Sequence, residues 1–184
     1  MTTSYRQVLP TLALVAMLAG CGPTSGSNGS GTVVPPAKNV DACTLFTAVD
    51  AQAVLAEEEV VEMTSFLNEA QKTRDPAQCG YNAGSDPSKV VRLEVRRAAS
   101  AESAQGAFDS TRSLLAGSAP QDVPGLGDGA FWVGGSLDQL HVRKGATQLI
   151  ITSQTTSQTT SQPGEGKDPL AVAKAIAGKA LPRL

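Results

Sequence analysis

From Lys89 to Arg97 the chain reads KVVRLEVRR, with an apolar residue at every second position. Val91, Leu93 and Val95 alternate with Arg92, Glu94 and Arg96. A period of two predicts a half-buried strand with a charged outer face. The same period recurs in QLHVRKG, where Leu140 and Val142 alternate with His141 and Arg143. It returns in TQLIITS, where Leu149 and Ile151 alternate with Gln148 and Thr152. Gly145 lies between these two runs, where a tight hairpin turn needs positive φ. On the alternation alone, His141 points away from the core and is expected to be an exposed strand residue. Shorter β-rich runs, VVEMTSFL from Val60, QCGYNAG from Gln78 and AFWVGG from Ala130, predict three more strands.

Three stretches carry helical spacing instead. In DACTLFTAVDAQAVLAEEE the apolar positions are Leu45, Val49 and Leu55, and Thr47 with Asp50 resembles a capping start. In SAESAQGAFDSTRSLLAG, Ser100 suits an N-cap. Ala104, Phe108, Thr111 and Leu115 form its stripe, and Gly117 and Pro120 end it. In KDPLAVAKAIAGKALPRL, Asp168 suits the N-cap and Pro169 the first helical position. Leu170, Ala173, Ile176, Ala177 and Leu181 make its apolar face. The order is α-βββ-α-βββ-α. Strands grouped between single helices predict an α+β fold, an antiparallel sheet with helices packed on one face. Whether the halves make one sheet or two is open at this stage. The repeat TSQTTSQTTSQ, from Thr152 to Gln162, is expected to be a loop before the last helix; the alternative is that its threonines extend the last strand past the sheet.

The first residues follow neither period. Arg6 precedes a short apolar run, VLPTLALVAML, and Ala19 and Gly20 follow it. A run this short, broken by Pro10 and ending in small residues, reads as a signal peptide rather than a spanning helix. Residues 22–39, GPTSGSNGSGTVVPPAKN, are a Gly/Ser/Pro-rich tether. The expected organisation is a signal peptide over 1–20, an anchor residue with its tether over 21–40, and a single globular domain over 41–184.

Composition narrows the partners. The chain has 184 residues, with 15 basic and 17 acidic side chains. It shows no basic stripe, which argues against nucleic acid. There are three cysteines and one histidine. Cys43 and Cys79 lie in the folded part and are expected to pair. The bridge would close a loop of about 37 residues, for about 3.5–4 kcal/mol by chain entropy. A metal site would need more soft ligands, and a redox pair closer spacing; these are the alternatives. No cofactor is expected and no metal site is nominated. Glu57, Glu58, Glu59 and Glu62 read as a solvated face, since calcium needs a shaped loop of oxygens. Gly125, Gly127 and Ala130 match G-x-G-x-x-A formally, but a strand follows where a dinucleotide site needs a helix. Phe131 and Trp132 are adjacent on a strand and must face opposite ways. One serves the core. The other needs a cover, so Trp132, Phe131 and Leu126 of the neighbouring loop are the candidate contact residues.

Two resemblances follow from these motifs. Leu18-Ala-Gly-Cys21 resembles the lipobox of bacterial lipoproteins. That resemblance implies cleavage before Cys21, a diacylglyceryl group on its sulfur, and acylation such as palmitate at the new amino terminus. Gly22 rather than Asp follows, which in a diderm implies the outer membrane. CTLFT from Cys43, CGY from Cys79, VPGLGDGAFWV from Val123 and LHVRKG from Leu140 occur in that order. They resemble small lipoproteins of unknown function best known from actinobacterial envelopes. The chain departs from that pattern at Phe46, where the pattern has a second Leu, and in the TSQT repeat. The resemblance implies a disulfide between the matching cysteines, an α+β domain, and no catalytic residues to carry over. The expected role is a non-catalytic binding or scaffolding module of the cell envelope, held to the membrane through lipid on Cys21. Its partner would be an unknown envelope protein. The alternative is a carrier of a small apolar ligand or lipid. An envelope hydrolase using His141 ranks below both.

Overall fold

The computed structural model describes residues 40–63, 67–68, 73–155 and 167–184. The lipobox, the tether and the TSQT repeat beyond Thr155 lie outside the described residues.

The chain enters through a short helix, α1 (Ala42–Leu45), capped by the Asp41 carboxylate, which accepts from the Cys43 N–H at 2.9 Å. Helix α2 (Ala48–Leu55) starts at the expected cap. The Thr47 hydroxyl accepts from the Asp50 N–H, and the Asp50 carboxylate accepts from the Thr47 N–H. The chain resets between the two helices, so the 3.6-residue period does not run through. Val49 is consequently 72% exposed rather than part of the expected stripe. Ala51, Val54 and Leu55 carry the buried face instead.

One antiparallel sheet of seven strands follows, in the order β1-β4-β5-β9-β8-β7-β6. Its strands are β1 (Val60–Glu62), β4 (Gln78–Ala83), β5 (Val90–Arg97), β6 (Gln121–Asp122), β7 (Gly129–Val133), β8 (Gln139–Lys144) and β9 (Thr147–Gln154). A separate two-residue pair, β2 (Leu67–Asn68) and β3 (Thr73–Arg74), lies between β1 and β4 in the chain. The sequence predicts the three strands after the middle helix; β6 is an addition, formed where only a loop is expected. The two halves of the chain join at the β5–β9 pairing, eight residue pairs from Val90↔Gln154 to Arg97↔Thr147. Helix α3 (Ala101–Leu114) carries the chain from β5, within the sheet, to β6 at its far edge.

The register divides the side chains by face. Trp132, Leu140, Ile151, Leu93 and Cys79 pair in sequence across five strands. They belong to the main core with α1, α2 and α4 (Pro169–Ala180). Helix α4 starts on its expected cap, the Asp168 carboxylate accepting from the Leu170 N–H at 3.1 Å. It buries Val172, Ala173, Ile176, Ala177 and Ala180. These three helices share one face. Helix α3 lies on the other, where Phe108 meets Phe131 edge to face at 5.0 Å and Val133 completes a small second cluster.

The Cys43–Cys79 disulfide is formed, joining α1 to β4 with a Cα–Cα distance of 5.1 Å. Phe46 packs edge-on against Tyr81 at 5.7 Å, and the Tyr81 hydroxyl lies 3.4 Å from Cys79 Sγ. The last residues close the same corner. Arg183 donates to the Leu45 carbonyl oxygen at 2.9 Å and to the Asp50 carboxylate through both terminal nitrogens. Asp50 is 5% exposed, and the Arg183 hydrogen bond holds its carboxyl down to about 2, against the opposing effect of burial.

Candidate functional site

The loop Val123–Asp128 joins β6 to β7, and its path is set by glycine and proline. Pro124 fixes one φ, and Gly125 and Gly127 take φ of +83° and +59°. At Gly127 the chain also passes so close to β8 that an added Cβ would run into the Arg143 carbonyl oxygen. That oxygen accepts from the Asp128 N–H at 2.7 Å. The Asp128 carboxylate accepts in turn from the Gly145 N–H at 2.7 Å and from Arg143 Nη1 at 3.0 Å. The loop is thus clamped at its far end to the β8–β9 turn. Leu126, at its tip, is half-buried and packs against the main core.

Between this loop and the C-terminal half of α3 lies an open groove of about 290 Å³. Phe108 and Arg112 line one wall; Asp122, Val123, Pro124 and Leu126 line the other. Arg112 forms an ion pair with Asp122 at the sheet edge. Its guanidinium also lies 5.6 Å from the centre of the Phe131 ring. The groove combines a few apolar side chains, one cation held by an exposed carboxylate, and loop backbone. Its volume is at the lower limit of small-molecule pockets.

The candidate contact residues fall unequally around this groove. Leu126 lines it. Phe131 is fully buried beneath α3, and Trp132 is 8% exposed on the main-core face. Both rings find their cover within the chain. Arg112, Asp122 and Phe108 reach the groove from positions the sequence did not nominate. The one legible signal was Phe131, whose outward register required an apolar cover.

His141 departs from its expected exposure. It does point away from the main core, but α3 covers that face, and the residue is 2% exposed. Its ring stacks on Phe131 at 4.6 Å with planes 10° apart. Gln148 Nε2 lies 3.4 Å from Nδ1, while Nε2 finds no partner among the described residues. Burial, and secondarily the charge of Arg96, push the imidazole down to about 4. A histidine enclosed in this way has no face to offer a substrate, and its ring neighbours an amide and an aromatic rather than a carboxylate.

A second hollow, of about 190 Å³, lies beside the C-terminal end of α2, lined by Leu55, Glu57, Lys89, Thr155 and Lys167. Its polar groups are engaged with one another: Lys89 pairs with Glu57 at 3.3 Å, Ser85 donates to Glu57 at 2.6 Å, and Lys167 donates to the Val54 carbonyl oxygen at 2.8 Å. Among the described residues, no three of His, Cys, Asp and Glu are placed to hold a metal ion. No helix among them is long and apolar enough to cross a membrane. Comparison with protein-family models, with curated proteins and with solved structures finds no match to this chain.

Proposed function

We propose that this chain is a cell-envelope lipoprotein, anchored through lipid on Cys21, whose folded domain is a non-catalytic binding or scaffolding module. The address rests on the sequence Leu18-Ala-Gly-Cys21. The binding role rests on one observation, the groove between α3 and the clamped loop. It is open, shaped by two positive-φ glycines, and carries its own cation and carboxylate beside a few apolar side chains. Those features suit a protein segment that brings one apolar side chain to Leu126 and Phe108 and polar groups to Arg112 and Asp122.

The carrier reading is supported less. It needs a cavity between helices and sheet, and there Ala173, Ile176, Ala177, Leu93 and Ile151 are all fully buried against one another.

A photo-crosslinking residue placed at Leu126 in living cells tests the proposal. A discrete adduct with one envelope protein is expected, absent when the probe sits at Leu114 on the exposed side of α3. Adducts of equal pattern from both positions, or none, would count against the groove. Labelled palmitate tests the address independently, since Cys21→Ser must abolish any label found on the chain.

A further inference from the structure

Helix α4 leaves one ridge uncovered. Ala171, Lys174, Ala175, Gly178 and Lys179 are exposed, and at 100° per residue they span an arc of about 140°. The small residues occupy the middle of that arc and the two lysines its rims. From Pro169 to Leu184 the chain carries Lys174, Lys179 and Arg183 and no Asp or Glu. Lys144 extends the basic surface from β8, its Nζ donating to the Leu181 carbonyl oxygen at 2.9 Å. Asp50 lies against this surface at the C-terminal end of the helix, its charge met by Arg183, with Lys179 Nζ 3.8 Å away, and Asp168 caps the opposite end.

The position of this ridge matters as much as its charge. Arg183 ties the end of α4 to the Leu45 carbonyl oxygen, so the ridge ends at the corner where the chain enters the domain. Twenty residue steps separate Cys21 from Asp41, a covalent reach of at most about 70 Å. A lipid on Cys21 would hold that corner within this distance of the headgroups, at an effective concentration where weak contacts count.

We propose that the α4 ridge, Ala171, Ala175 and Gly178 flanked by Lys174 and Lys179, rests on anionic lipid headgroups of the membrane that holds Cys21. The inference rests on the anchor reading above. A ridge of Ala and Gly presents no projecting side chain to a flat surface, while lysines on both rims reach past it to the phosphates.

The test uses the processed full chain, reconstituted into phosphatidylcholine vesicles or vesicles containing phosphatidylglycerol. Lysines are footprinted with a water-soluble acylating reagent and read by mass spectrometry. Lys174 and Lys179 are expected to react about fivefold more slowly on the anionic vesicles, with protection lost in high salt. In the double variant Lys174→Gln, Lys179→Gln, the lipid dependence of Lys144 acylation is expected to collapse. Equal reaction on both vesicles by a chain whose Cys21 peptide carries lipid would overturn the docking alone. A Cys21 peptide without lipid would overturn the anchor, and the docking with it.

Discussion

His141 offers a sharp test of how the two faces of the sheet are covered. The ring is enclosed by Phe131, Gln148 and α3, and its proton affinity falls from the ordinary 6.5 to about 4. Burial is the main cause, and the positive charge of Arg96 on β5 adds to it. Above pH 6.5 the imidazole is neutral whether the chain is folded or not, and it contributes no pH dependence. Below 6.5 the unfolded chain takes up a proton that the folded chain refuses. Stability should therefore fall as pH drops from 6.5 towards 4 and level off below, where both states are protonated. Two and a half pH units at 1.36 kcal/mol each give about 3 kcal/mol as the full effect. The assay is urea unfolding at steps across that range, for the native chain and for His141→Gln. The substitution removes the titration, so the difference between the two stability curves should bend between pH 6.5 and 4. Carboxylates cancel in that difference. As the chain holds a single histidine, one set of imidazole resonances reports the folded-state titration directly. A midpoint near 6.5, or parallel stability curves, would refute the enclosed ring and the cover that α3 provides.

Other expectations are as direct. Reduction of the Cys43–Cys79 bridge, or Cys43→Ser with Cys79→Ser, should cost about 2–4 kcal/mol in chemical denaturation, with the helices retained by circular dichroism. Arg183→Ala should lower the urea midpoint at neutral pH, because it strips the nearly buried Asp50 of its main partner while leaving water some access. The Asp50 contribution is fully present above pH 3.8 and is lost as pH falls towards about 2, so the variant should be less acid-sensitive in that window. Gly127→Ala should destabilise by about 2 kcal/mol or more, since the Arg143 carbonyl blocks the new methyl. Gly125→Ala shares the positive φ but meets open space, and should cost about 1 kcal/mol. Equal losses at the two glycines, read by thermal denaturation, would argue against the clamp between the loop and β8.

Local chemistry made much of this fold legible. The Thr47–Asp50 capping box, the Asp168-Pro169 start of α4 and the alternation of β5 all involve residues within a few positions of one another. The cysteine pairing was legible for a different reason, since the folded part holds only two cysteines. The cover over the outer face was not read, although it left a trace. Phe131 and Ile150 occupy outward positions and are apolar, the mark of strands buried on both sides. The one-face expectation holds for α1, α2 and α4 and gives way at α3. The groove depended on contacts the sequence cannot align: Arg112 to Asp122 across a helix end, and Asp128 to the β8–β9 turn. Arg183 and Asp50, at opposite ends of the domain sequence, meet only once the whole sheet is assembled.

The bridge between α1 and β4 also sets the route of mechanical load. Any pull applied to the chain at Asp41 passes through two peptide units before reaching Cys43, and the covalent link to Cys79 then delivers it to β4. That strand is hydrogen-bonded on both sides, to β1 and to β5. Tension on the entering chain is therefore shared by an interior strand instead of peeling α1 away from the core.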